Sequence, residues 1–166
     1  MKAFRLDGPG MAAVVDVPEA STEAGEVLLR VKMVGMCGTD LNTFRGRNAM
    51  VTFPRVPGHE VAAEVVAGGG DLAAGTLVTL SPYTNCGRCA ACRRERVNAC
   101  QFNETMGVQR DGAMMEYISV PRAKLYAARL SAKELCLVKP LTVGFHAAAR
   151  GRIVREDVVA VFGCGG

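Results

Sequence analysis

Cys86-Gly87-Arg88-Cys89-Ala90-Ala91-Cys92-Arg93-Arg94-Glu95-Arg96-Val97-Asn98-Ala99-Cys100 packs four thiols into fifteen residues. Such density does not suit four core positions on separate strands. Two-residue gaps bring Cys86, Cys89 and Cys92 within reach of one ion. The seven-residue excursion lets Cys100 close a tetrahedron of thiolates at roughly 2.3 Å, the closed shell of a structural zinc. A [4Fe–4S] cluster is the sharper alternative, but its usual run has a short third gap followed by Cys-Pro. Here the third gap is seven and Gln101 follows. The run reads as a structural zinc lobe over residues 85–101.

The rest of the composition fits that reading. A chain of 166 residues with 49% hydrophobic and 22% charged residues suits one globular domain with a real core. The seven cysteines come without an apolar leader in the opening Met-Lys-Ala-Phe-Arg-Leu-Asp-Gly, which argues for a reducing, cytoplasmic compartment and for metal over disulfides. No stretch approaches a membrane span. The net charge of +4 owes much to Arg88, Arg93, Arg94 and Arg96. No aromatics interleave with these arginines and no docking motif accompanies them, so they read as a solvated basic lobe and not a nucleic-acid surface.

Strand signals dominate the first 120 residues. Residues 2–6, 12–17 and 26–36 are rich in Val, Leu and Met and are separated by Gly, Pro, Asp and Ser clusters. Val27, Leu29, Val31 and Met33 alternate with Leu28, Arg30 and Lys32, the pattern of a half-buried strand. Further strands are expected at 59–67, 76–81 and 114–119, the last after an Asp111-Gly112 turn. A short helix is expected from near Thr39. Ser131-Ala132-Lys133-Glu134 is a capping box that opens a helix. Pro140 is expected to break it and to start a second helix running to about Arg150. His146, among alanines there, reads as a packing residue. Val158-Val159-Ala160-Val161-Phe162 reads as a buried strand feeding Gly163, Gly165 and Gly166, the start of a dinucleotide-binding fingerprint.

A second constellation lies outside the cysteine lobe, in Cys37-Gly38-Thr39-Asp40 and Gly58-His59-Glu60. A thiolate, an imidazole and a carboxylate suit a catalytic zinc, which takes three protein ligands and keeps one position open. Taken singly, Cys37 equally suits a small buried apolar position, and His59 a satisfied core histidine.

Taken together, C-G-T-D, P-G-H-E, the four-cysteine run, K-P-L-T-V-G-F-H-A and V-F-G-C-G-G occur in the order found in the zinc-dependent medium-chain alcohol dehydrogenases, which the sequence resembles over nearly its whole length. F-P-R-V-P-G-H-E, G-V-Q-R-D-G-A and P-L-T-V-G-F-H-A-A-A-R resemble most the polyol, threonine and hexonate members. The resemblance implies a mainly β, GroES-like, partly open barrel with short helices over 1–150. It also implies the first strand of a nucleotide-binding Rossmann domain over 151–166. It implies that Cys37, His59 and Glu60 hold catalytic zinc, that Thr39 relays the substrate proton, and that Asp40 orients His59. Gly163, Gly165 and Gly166 would belong to the NAD or NADP site. The parent activity implied is oxidation of a secondary alcohol on a polyol or sugar acid, in a homo-oligomer. Because the sequence stops at Gly166, the 166 residues alone are expected to be inactive.

The sequence departs from the family at Ala63, where glycine is usual. It departs again at Lys139, where polyol-type relatives carry a glutamate close to the metal. A lysine at what reads as a helix start opposes the helix dipole. Two other readings stand beside the dehydrogenase: a zinc module without turnover, and an iron–sulfur electron carrier.

Overall fold

The computed structural model describes residues 1–67 and 70–163. Strands β1 (Lys2–Gly8) and β2 (Met11–Asp16) form an antiparallel ribbon. Strands β3 (Glu26–Gly35), β4 (Glu60–Ala67), β5 (Leu77–Leu80), β6 (Tyr117–Pro121) and β7 (Leu125–Ala127) form a five-stranded sheet in the order β6-β3-β4-β5-β7. Every neighbouring pair in it is antiparallel. Helix α1 (Gly38–Phe44) follows β3, and α2 (Ala132–Gly151) follows β7. The ribbon is stitched to the body by Phe4 N donating to Met114 O and by reciprocal Leu6–Arg55 bonds, each 2.8 Å. The architecture is mainly β, as expected, with two α-helices among the described residues where three were expected, and β7 carried no sequence signal.

Val27, Leu29, Val61, Ala63, Val65, Val78 and Val120 form the main core. Ala62, on the opposite face of β4, packs with Leu135 and Cys136 of α2. Strand β4 is therefore buried on both faces, and the small Ala62 lets the helix approach. Burying a leucine such as Leu135 contributes about 2 kcal/mol.

The inward alternation of β3 holds through Val31 and then changes. A bulge between Val31 and Met33 shifts the register. Met33, expected inward, is exposed, and Val34 packs against the core instead. An extra residue in one strand sends every following side chain to the other face.

Pro140 does not break the last helix: α2 is continuous through it. The proline removes one backbone donor, but its fixed φ is itself helical, so the helix loses a bond without ending. Lys139 is consequently mid-helix, and the expected clash with a helix start does not arise. His146 is exposed and lines an open cavity of about 660 Å³ with Tyr83, Asn98, Thr142 and Val143; it is not a packing residue. Val158–Phe162 is exposed, and no strand forms there among the described residues. Apolar composition favours a strand, but a strand still needs a neighbour to bond to.

Candidate metal centres

Between Cys86 and Cys100 the chain turns so that backbone amides point at sulfur. Cys89 N donates to Cys86 Sγ at 3.3 Å, Cys92 N to Cys89 Sγ at 3.5 Å, and Cys86 N to Cys100 Sγ at 3.4 Å. Two short 3₁₀ turns, Cys92–Arg94 and Val97–Ala99, carry the chain back, with Glu95 left-handed between them at φ 59°. All four sulfurs fall within 4.8 Å of one another. Cys89, Cys92 and Cys100 are buried, whereas Arg88, Arg93, Arg94 and Arg96 are exposed. The backbone N–H groups of Cys92 and Gln101 hold the Cys89 thiol down to about 6. Burial pushes Cys92 up to about 11. A metal taken up here would have to displace the Cys92 proton, so its affinity would rise with pH.

The second group is assembled by α1 and the start of β4. Cys37 is the N-cap of α1, and its N–H donates to Asp40 Oδ2 at 2.9 Å. The other carboxylate oxygen of Asp40 accepts from Gly58 N at 3.1 Å. One buried aspartate therefore ties the cysteine turn to the residue before His59. Gly58 is left-handed at φ 99°, and a Cβ there would lie 2.8 Å from Val34 Cγ1 and 2.9 Å from Met114 Cγ. Cys37, His59 and Glu60 present ligand atoms within 4.8 Å of one another. Thr39 Oγ1 stands 3.7 Å from Cys37 Sγ.

His59 Nδ1 is 3.7 Å from Asp40 Oδ1, too far for a hydrogen bond, and is buried without a partner. Burial pushes the imidazole below its ordinary pKa; the Asp40 and Glu60 carboxylates oppose this, and the Lys139 ammonium adds to it. The neutral ring that results is the form that binds a metal. Lys139 Nζ sits 3.6 Å from Glu60 Oε1, with the lysine side chain 15% and the glutamate side chain 12% exposed. The lysine is directed into the site and not out to solvent.

Sequence reasoning missed two supports of this centre. Gly35 pairs with Glu60 across β3 and β4, and a Cβ on it would lie 2.8 Å from Glu60 Oε2. A glycine closing a strand is too common to signal this. The second support is the segment around Asp111-Gly112, expected as a hairpin turn. It instead clamps residues 56–58: Gly112 N donates to Val56 O at 2.7 Å, Ala113 N to Gly58 O at 2.9 Å and Met114 N to Pro57 O at 3.0 Å. Asp111 Oδ1 accepts from Val56 N at 3.0 Å. A side chain on Gly112 would run into the Pro57 carbonyl. Of the expected dinucleotide glycines, Gly163 has a positive φ with nothing nearby, and Gly165 and Gly166 lie outside the described residues.

Residues 23–130 match the family model described as alcohol dehydrogenase GroES-like domain. L-Galactonate-5-dehydrogenase of Escherichia coli (strain K12) is 37% identical over 84% of this chain and 42% of its own length. Sorbitol dehydrogenase of Bacillus subtilis (strain 168) is 35% identical over 99% of this chain and 49% of its own. Among solved structures, the short chain alcohol dehydrogenase RspB from E. coli CFT073, complexed with NADH, superposes with a TM-score of 0.85 at 28% identity. It covers 95% of this chain and 47% of that one. The chain spans about half the length of the curated relatives it matches.

Proposed function

Because the chain belongs to the alcohol dehydrogenase GroES-like domain family, we propose that it carries the zinc centre of an NAD(P)-linked dehydrogenase that oxidises a secondary alcohol of a polyol or sugar acid. The observation that carries this reading is the convergence of a thiol, a neutral imidazole and a carboxylate within 4.8 Å. The donor set fits zinc with an open position. The unpartnered, buried ring of His59 fits a ligand awaiting its ion. When bound there, zinc supplies a Lewis acid that lowers the pKa of a substrate alcohol.

The chain's own residues do the rest. Cys37, His59 and Glu60 fix the ion. Asp40 holds the Cys37 turn and Gly58 to one carboxylate, which sets the spacing of two ligands. The Thr39 hydroxyl, next to Cys37 Sγ, takes the alcohol proton and passes it outward. The four-cysteine lobe holds a second zinc that stabilises its own fold. A nicotinamide, when bound, would supply the hydride acceptor. That part of the reading is supported by RspB, solved with NADH.

The test is reduction of NAD⁺ or NADP⁺ on a panel of hexonates and polyols, before and after chelation, by these residues joined to a nucleotide-binding domain, since alone they are expected to be inactive. The reading requires turnover that disappears with the weaker zinc and returns when zinc is restored. Undiminished turnover by zinc-free protein would refute it. The Lys139–Glu60 ion pair favours a second reading, a zinc module without turnover, because it sets a cation against a metal ligand. Zinc bound at Cys37 with no turnover on any alcohol would decide for it.

A further inference from the structure

Lys139 has an unusual position for a lysine. Its side chain is only 15% exposed, and its nearest charged partner is Glu60 Oε1 at 3.6 Å, beyond hydrogen-bond range. Among the described residues no acceptor takes a hydrogen bond from its ammonium. Its three donors have no protein acceptor among the described residues, so a ligand oxygen entering the site can take them over from water. If Glu60 turns its carboxylate to a zinc ion, the ammonium loses most of its only counter-charge as well.

The remaining charges do not offer a substitute. Asp40 is the other carboxylate of the site, but its two oxygens already accept from the amides of Cys37 and Gly58. Zn²⁺ with one thiolate and one carboxylate is neutral, so Lys139 is a net positive charge beside the open position. A zinc ion held through Glu60 Oε1, at a bond of about 2 Å, would lie within about 6 Å of the ammonium. That span matches a hydroxyl and an oxyanion carried on one polyhydroxy molecule.

We propose that Lys139 is a specificity residue that receives an oxyanion of the substrate, carboxylate or phosphate, so that the site prefers a polyhydroxy acid or a sugar-alcohol phosphate to a neutral polyol. The proposal rests on the reading of Cys37, His59 and Glu60 as a zinc centre. Lys139 touches the substrate through its ammonium, while the hydroxyl to be oxidised faces the ion.

The test is calorimetric binding of galactonate, galactitol 1-phosphate and galactitol to protein loaded with excess Zn²⁺, with bound zinc measured in parallel. Wild type is expected to bind galactonate or galactitol 1-phosphate more tightly than galactitol, and the stronger of the two identifies the oxyanion. Lys139→Met, which keeps the stem, should lose roughly tenfold to a hundredfold for that oxyanion and little for galactitol. Lys139→Arg should keep the preference, which separates lost charge from lost fold. Equal affinities in wild type and Lys139→Met, or no oxyanion binding by zinc-loaded wild type, would overturn the proposal while leaving the zinc centre standing. Failure to load any zinc at Cys37 would overturn both.

Discussion

Lys139 Nζ and Glu60 Oε1 stand 3.6 Å apart, joining the middle of α2 to the first residue of β4. The glutamate is also one of three groups whose ligand atoms converge on a metal-sized space. A metal bound there would compete with the cation for one carboxylate.

Replacing Lys139 with glutamate should tighten zinc at Cys37–His59–Glu60 without changing the cysteine lobe. Removing a like charge at about 6 Å relieves a few kcal/mol at an effective dielectric near 20, before relaxation. Zinc retained after mild chelation should approach two per chain in Lys139→Glu and stay near one in wild type. Equal retention in the two proteins would mean that the ammonium moves aside when the metal arrives.

Gly35→Ala should damage the same centre from the other side. A Cβ at this position meets Glu60 Oε2 at 2.8 Å and Glu60 Cβ at 3.1 Å. The glutamate must move, at a cost of about 1–3 kcal/mol for overpacking. Weaker zinc at Cys37, with the lobe zinc unchanged, is the expected outcome of a competition titration. Unaltered affinity would show that the carboxylate relocates without leaving the metal.

These two residues also mark where the sequence stops being legible. The cysteine lobe, the Cys37-to-Asp40 turn and most strands could be read, because ligand spacing, capping residues and period-two alternation are local signals. The inward side of Met33 could not, since a bulge is fixed by the partner strand. Pro140 misled because a proline costs one bond but does not by itself end a helix that has other contacts. Val158–Phe162 forms no strand in this chain, because apolar composition does not supply a neighbour. The meeting of Lys139 with Glu60, and of Gly35 with the same side chain, depends on tertiary packing that no local pattern encodes.

Ser131→Ala tests how α2, and Lys139 with it, is held. Ser131 Oγ accepts from Glu134 N at 3.3 Å, while the Ser131 N–H and hydroxyl donate to Glu134 Oε2 at 2.8 and 2.7 Å. Losing the cap should cost about 1 kcal/mol in denaturant unfolding. The bonds from Ser131 hold Glu134 below its ordinary 4.5. Their contribution is therefore complete above that value and fades as pH falls through the lowered one. The gap between wild type and Ser131→Ala should shrink below about pH 4. A gap that is constant with pH would place the effect in the hydroxyl alone.

The most direct measurement is elemental zinc per chain, taken without chelator in wild type, Cys37→Ser and Cys92→Ser. Two sites predict that Cys37→Ser loses only the weaker zinc and keeps a folded lobe. Cys92→Ser should lose the tighter zinc and destabilise the lobe. Iron in place of zinc, or zinc content unchanged by Cys37→Ser after loading with excess Zn²⁺, would contradict the account.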